Sequence, residues 1–170
     1  MGEQLFVEQT LEQIKEYLLA GLKGLTEAEA RWQPKPDANP IAFIVWHVAR
    51  VEDNWVQRFA QKLPEAWESE GWFQRLNLPK RDSGFGYTAE QVRALALPPM
   101  SDLLAYYESV RKLSLAYLRG LTPEQWEVKP WPDRRPDYDI RRMWRQLVCE
   151  EAEHAGQVAY LRGLQRGLDK

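Results

Sequence analysis

The chain has 170 residues, enough for one domain with a substantial core, and its 44% hydrophobic and 28% charged residues are typical of a globular protein. Its net charge of −2 provides no basic surplus for binding a nucleic acid, and no apolar run approaches the ~20 residues that span a bilayer. The single cysteine excludes an intramolecular disulfide framework. The first residues do not show the basic and then apolar pattern of a signal peptide, so we expect a cytoplasmic protein. We expect one domain over residues 1–170.

Four long amphipathic helices are predicted, because apolar residues recur every three or four positions in four stretches. The first runs from about Leu5 to Leu22, and the second from about Ile41 to Gln61. The third begins near Ser101, which suits an N-cap, and the fourth runs from about Asp139 to Gln165. No stretch alternates apolar and polar residues between hairpin turns, so the sequence predicts an all-α four-helix bundle.

The connections after the first and third helices share a pattern. Residues 22–26 and 118–122 both read Leu, a basic residue, Gly, Leu, Thr, in which Gly ends one helix and Thr opens a short new one. Thr26 with Glu29 and Thr122 with Gln125 each fit a capping box. A tryptophan, a proline-rich loop and a long helix follow in both cases. The pattern indicates duplicated helical hairpins with the second and fourth helices as counterparts; the alternative is a coincidence of two common helix-stop signals.

Residues 62–99 join the two halves, and this connection is long for a bundle. We expect a crossover docked on the outside or over one end, with a short helix from Thr88 to Leu95 that begins in a capping box. Many aromatic residues lie outside the four apolar stripes, especially Trp67, Trp72 and Trp131. They either pack the crossover onto the bundle or are exposed, and on the second interpretation we predict a homodimer.

The two histidines lie on the two counterpart helices. His47 stands on the second helix and His154 on the fourth, with Glu150 one turn before His154 on the same face. Both imidazoles border apolar stripes, where an unpaired carboxylate and imidazole would be costly. A divalent metal would satisfy all three groups, and two histidines with one glutamate form a known catalytic zinc set that Ni²⁺ or Fe²⁺ also accepts. The alternative is a hydrogen-bonded core histidine beside an ordinary Glu–His pair on a helix surface.

Other candidates are weaker. Cys149 points about 180° away from the stripe of the fourth helix, so we expect a small buried residue at another contact and not a ligand. Glu151 and Glu153 are expected to be solvated or paired charges. A small basic cluster near the start of the fourth helix contains Arg134, Arg135, Arg141 and Arg142. It is either surface charge or an anchor for a carboxylate, which arginine binds well.

At this point the sequence resembles a known family. Ile44-Val-Trp-His-Val-Ala-Arg-Val-Glu-Asp, with Glu150-x-x-x-His154-x-Gly-Gln, is similar to the DinB-like (YfiT-like) superfamily of metal-binding bundles, and the resemblance covers nearly the whole chain. It implies an up-down-down-up bundle with a long crossover between the second and third helices, and a divalent metal on His47, Glu150 and His154. Most members with this pattern carry a histidine where this chain has Glu150. The glutamate form is similar to the mycothiol-dependent maleylpyruvate isomerase branch.

The resemblance implies an S-transferase or isomerase that uses a low-molecular-weight thiol of the mycothiol or bacillithiol type. The metal, most simply zinc, would bind water at rest and present the cofactor sulfur as a thiolate. Gln157, one turn beyond His154, would hydrogen-bond behind the ligands. The partners would be a small thiol and an electrophile, with neither nucleic acid nor membrane. The alternative is a non-catalytic metal- or ligand-binding protein related to stress; a cleft with polar or basic groups beside the metal would favour the enzyme.

Overall fold

The computed structural model describes residues 2–167, and every regular element in that range is helical, which confirms the all-α prediction. In chain order the helices are α1 Glu3–Leu22, α2 Glu27–Arg31, α3 Ile41–Asp53, α4 Ala66–Ser69, α5 Trp72–Arg75, α6 Ala89–Ala94, α7 Met100–Gly120 and α8 Ile140–Arg166. A π-helical segment, Asn54–Ala60, continues α3, and a 3-10 turn, Glu124–Glu127, precedes α8. Among these helices none combines the length and apolarity that a membrane crossing requires.

The four long helices α1, α3, α7 and α8 form the bundle, and α1 and α8 lie side by side and parallel. Near their starts Arg141 donates to Glu3 over 2.8 Å, and just beyond their other ends Arg166 donates to the carbonyl of Gly24. The last helix of the chain is therefore the partner of the first.

The helix α7 runs antiparallel to α1 and parallel to α3. Lys15 pairs with Glu108 at 2.8 Å, and Arg119 pairs with Glu8 at 2.6 Å, so the two sequences run in opposite directions. The start of α3 shares a core cluster with the first half of α7, whereas the π-helical continuation shares a second cluster with Leu118 near the end of α7. This order is the predicted up-down-down-up bundle.

The helix ends differ in detail from the predicted ones. Two capping boxes are confirmed, Thr26 with Glu29 and Thr88 with Gln91. The prediction for the start of α7 is wrong, because the N-cap is Pro99 and Ser101 lies inside the helix. At Thr122 only half of the predicted box forms: the backbone amide donates to Gln125 at 2.8 Å, but the hydroxyl donates to Glu124. The element that follows is a single 3-10 turn, which does not place an amide where the hydroxyl would accept from it.

The crossover is docked, as expected. Trp67 is fully buried, and its ring lies 4.9 Å from that of Tyr106 on α7, measured between centroids. Asp53, the last residue of α3, accepts hydrogen bonds at 2.8 Å from the backbone amides of Ala66 and Trp67. These two bonds fix the start of α4, and Trp67 is unavailable for an interface between subunits.

A charged cluster is buried where α3, α7 and α8 meet. Arg111 reaches Glu52 at 3.0 Å and also donates to Glu151, whose other neighbour is the hydroxyl of Tyr107. Glu151 is therefore a paired charge and not a solvated one. Burial raises the pKa of Glu52 to about 8 against the opposing effect of Arg111, which favours the protonated form of this side chain.

Candidate metal centre

His47 lies in the middle of α3 with its ring stacked over that of Phe43, the two planes 4° apart. Its Nδ1 is 2.6 Å from the carbonyl oxygen of Ser83 in the crossover. A carbonyl only accepts, so Nδ1 carries the ring proton and donates it. The lone pair is left on Nε2, which faces the carboxylate of Glu150 at 3.6 Å.

His154 is held in the same way from within α8. Its Nδ1 lies 2.8 Å from Oε1 of Gln157, and its Nε2 lies 3.1 Å from Oε1 of Glu150. The ring centroid is 5.2 Å from that of His47, and the two planes are nearly perpendicular. With Nδ1 donating to the amide oxygen, Nε2 again presents its lone pair toward the carboxylate.

The donor set fits a divalent cation. One nitrogen of each of His47 and His154 and one oxygen of Glu150 lie within 4.8 Å of one another. In the tautomers fixed by Ser83 and Gln157 all three atoms are acceptors with no proton among them, so an electropositive species is needed between them. Two neutral imidazoles and one carboxylate are a donor set that Zn²⁺ takes, with a position left open. The structure brings together all three residues that the sequence singled out.

Without a metal, a proton can supply part of the positive charge that these three groups need. When Nε2 of the imidazoles is protonated as well, hydrogen bonds from His154 and His47 lower the pKa of Glu150 to about 2. Burial opposes ionisation of His154, but its hydrogen bond to Glu150 prevails and raises its pKa. The carboxylate is therefore ionised at neutral pH, which is the form that binds a cation.

Two neighbouring residues lie outside the site. Glu153 is exposed, as a solvated charge should be. Cys149 is also exposed, so the prediction of a buried cysteine is wrong. It lies on the outward face of α8, where a Cβ added at Gly156 would meet no atom of the described residues within 4 Å. The sequence predicted that the Cys149 side chain points away from the site. It did not show that, among the described residues, nothing packs against this face of α8.

The crossover loop that carries Ser83 was missed by sequence reasoning. Gly84 has φ +77°, and a Cβ there would lie 2.7 Å from Cζ of Phe43 and 2.8 Å from Cζ3 of Trp46. The loop backbone thus lies directly on α3, and this close approach places the Ser83 carbonyl against His47. The available signal was the pair of glycines in this otherwise aromatic segment.

A cavity of about 580 Å³ opens beside Glu150, within the ~300–1,000 Å³ typical of small-molecule sites. Its lining is mostly apolar and aromatic, with a few polar groups and two arginines: Val51, Asn54, Trp55, Phe59, Ser83, Phe85, Pro130, Trp131, Arg134, Arg135, Tyr138, Met143, Gln146 and Glu150. Residues from α3, its π-helical continuation, the crossover and α8 all contribute. Of the basic cluster that the sequence left open as surface charge or anchor, Arg134 and Arg135 border the same cavity as Glu150.

Comparisons with known proteins agree with this fold. A family model described as the DinB superfamily matches residues 10–158, so the chain belongs to the DinB superfamily. No curated protein matches the chain. A crystal structure of the conserved protein of locus from Enterococcus faecalis is similar, with a TM-score of 0.87, 23% identity and 99% of each chain covered. This likeness shows the fold, and family membership supports a metal-binding protein whose His47, Glu150 and His154 could hold the ion.

Proposed function

We propose that this protein binds one divalent cation, most simply Zn²⁺, through His47, Glu150 and His154, and is an S-transferase or isomerase that uses a low-molecular-weight thiol. The observation that supports it is the convergence of two imidazole Nε2 atoms on one carboxylate oxygen beside a cavity. When bound, such a cation lowers the pKa of a thiol so that it is a thiolate at neutral pH. Ni²⁺ and Fe²⁺ accept the same donors.

The residues around the site have distinct roles in this proposal. Ser83 and Gln157 hold the two imidazoles in the tautomer that binds a cation. The carboxylate of Glu150 offsets part of the positive charge. The aromatic walls exclude water and hold the organic partner against the site. Cys149 has no part in the chemistry, because it lies on the outward face of α8.

The cavity favours an enzyme over a non-catalytic metal- or ligand-binding protein related to stress. A closed structural site would leave no room for a second reactant beside the ligands. Here Glu150 borders a cavity that also carries Asn54, Gln146 and two arginines, so polar groups lie within reach of a bound molecule. The choice of mycothiol or bacillithiol follows from the family resemblance, and the assay therefore includes both thiols.

Elemental analysis of the purified protein tests the metal, and we expect about one divalent ion per chain. His47→Ala and His154→Ala should lose it, because two remaining ligands hold an ion poorly against water. Glu150→Gln keeps the shape but removes the charge, so metal affinity should fall more than stability. Glu153→Gln and Cys149→Ser are matched controls on the same helix and should keep the metal.

Thiol consumption with a panel of electrophiles then tests the activity, using mycothiol and bacillithiol in turn. Activity that is lost in His154→Ala and kept in Cys149→Ser supports the transferase. Full metal binding by both histidine variants would show that the site is wrong. Normal metal content without consumption of any thiol would support the metal site and contradict the transferase activity.

A further inference from the structure

We propose that the cavity beside Glu150 takes an organic anion with a flat apolar body, whose acid group is bound by Arg134 and Arg135. This inference rests on the proposed function, because it names the substrate class of the same site. The cavity joins three kinds of surface that such a molecule needs, namely a cationic pair, aromatic walls and Glu150 of the candidate metal centre.

The cationic pair is built by a turn. The backbone amides of Arg134 and Arg135 both donate to the carbonyl of Trp131, at 3.2 and 2.8 Å. This turn places both residues at the lining of the cavity. Both side chains are exposed, and within residues 2–167 neither guanidinium forms an ion pair with a carboxylate. The guanidinium of Arg135 lies 5.2 Å from the ring centroid of Tyr138. Two positive charges therefore border the cavity with their carboxylate-binding donors free.

The aromatic walls are packed and flat. The rings of Phe59 and Trp131 meet edge to face with centroids 3.9 Å apart. On Trp131 the ammonium of Lys62 lies 5.2 Å from the ring centroid and donates to the carbonyl of Pro130 at 2.9 Å. Trp55 adds a further indole to the lining. Rings held in this way offer planar contact at little cost in side-chain entropy, which favours a flat apolar body.

The balance of charge sets the sign of the ligand. Among the lining residues Glu150 is the one acid, and its carboxylate is already engaged by two imidazoles. With Glu150 held by the histidines, the guanidinium pair faces the cavity without a compensating charge. A cationic or neutral molecule of the same shape gains nothing from that pair, whereas a carboxylate or sulfonate does.

The test measures binding of 1-naphthoate, its neutral isostere 1-naphthamide and the cation 1-naphthylmethylammonium to the full chain loaded with one equivalent of Zn²⁺. Calorimetry gives the affinity of each probe. We expect naphthoate to bind at least about tenfold more tightly than the amide, and the cation most weakly. Arg134→Ala/Arg135→Ala should remove that preference and leave amide binding unchanged. Arg145→Ala, another exposed arginine outside the cavity lining, should change nothing.

The inference is overturned if the amide binds as tightly as naphthoate, if Arg145→Ala weakens binding as much as the double change, or if none of the three probes binds. Elemental analysis of the same samples separates this result from the metal proposal. If the metal is present but naphthoate is not preferred, the anion site is contradicted and the metal proposal stands. If metal-free His154→Ala protein still prefers naphthoate, the anion site is supported and does not depend on the metal.

Discussion

Each imidazole of the candidate metal centre is oriented by an oxygen of a residue that is not itself a candidate ligand. For His47 this oxygen is the carbonyl of Ser83, and for His154 it is the side-chain amide of Gln157. Such outer partners fix the ring tautomer, and their loss typically lowers metal affinity about 10- to 100-fold. The carbonyl of Ser83 cannot be removed by changing its own side chain, so its position must be tested through the loop that carries it.

Gly84→Ala tests that loop. The new Cβ would overlap Phe43 and Trp46, so the loop must move away from α3 and take the Ser83 carbonyl with it. We expect metal affinity to fall by about 10- to 100-fold and stability by about 2 kcal/mol or more, measured by metal titration and urea unfolding. The matched control is Gly86→Ala, which has φ +72° but meets nothing within 4 Å, so it should cost about 1 kcal/mol and keep the metal. Equal effects of the two changes on metal binding would contradict the role of the loop.

Glu52→Gln tests the buried charged cluster. The pKa of Glu52 is about 8 in the folded protein and near the ordinary 4.5 when unfolded, so between these values folding takes up a proton. Since the unfolded state binds fewer protons, the free energy of unfolding should fall as pH rises through this window, by up to about 1.4 kcal/mol per pH unit from this group. Glu52→Gln copies the neutral form and should flatten the slope.

Urea unfolding of metal-free protein at several pH values between 5 and 8 measures this slope (roughly the window above). Glu12→Gln is the control, because Glu12 is exposed on α1. A slope in Glu52→Gln equal to that of the parent would show that Glu52 is ionised in the folded protein.

Sequence reasoning located the three residues of the candidate metal centre but not the groups behind them. His47, Glu150 and His154 were accessible because helical spacing fixes which side chains share a face. The contact of Ser83 with His47 joins residues 36 apart through a backbone atom, and no side-chain pattern encodes it. The burial of Cys149 was misjudged for a related reason, because helical spacing gives the direction of a side chain but not what packs against it.

At the scale of elements, the continuation of α3 differs most from the predicted regular helix. The helix extends to Ala60, close to the expected end at Gln61, but its last part, Asn54–Ala60, is π-helical. Wider π turns often occur at functional sites. Here the segment supplies Asn54, Trp55 and Phe59 to the cavity. Apolar residues spaced three or four positions apart fit both an α-helix and a π-helix, so the sequence did not distinguish the two.

Asp53→Ala tests how α3 anchors the crossover. The carboxylate accepts from the amides of Ala66 and Trp67 and from the hydroxyl of Tyr106, so its loss leaves three buried donors without an acceptor. At ~1–3 kcal/mol for each such group, we expect a loss of about 3 kcal/mol or more in urea unfolding. Amide hydrogen exchange at residues 66 and 67 should accelerate. Asp102→Ala, an exposed change on α7, should have little effect; unchanged exchange in Asp53→Ala would refute the anchoring role.

At the scale of the whole molecule, the metal centre connects α3 to α8, two helices that belong to different halves of the chain. A cation that binds the folded state alone should stabilise it by about 2.7 kcal/mol at a free concentration 100 times its Kd. For a domain of this size that is a rise in Tm of roughly 5–11 °C. Thermal unfolding with and without a chelator measures the shift. His154→Ala should show none, and a shift of the same size in that variant would place the stabilising ion elsewhere.

The homodimer stays a prediction, and two of the tryptophans that suggested it no longer support it. Trp67 is buried in the core, and Trp131 lines the cavity. Large apolar side chains that remain exposed include Phe6, Tyr17 and Tyr160 on α1 and α8. Sedimentation equilibrium should detect a species heavier than 20.0 kDa, and a single 20.0-kDa species from micromolar to millimolar concentrations would exclude the dimer.

The parallel pairing of α1 with α8 has a consequence for synthesis on the ribosome. The apolar stripe of α1 emerges first, but its main partner is the last helix of the bundle. At about 5–20 residues per second, roughly 6–30 s pass between the emergence of the two helices. During that interval Leu11, Leu18 and their neighbours lack their native cover, and two of the three residues of the candidate metal centre are not yet made. The apolar stripe of α1 therefore stays uncovered, and the candidate metal centre incomplete, until α8 is released.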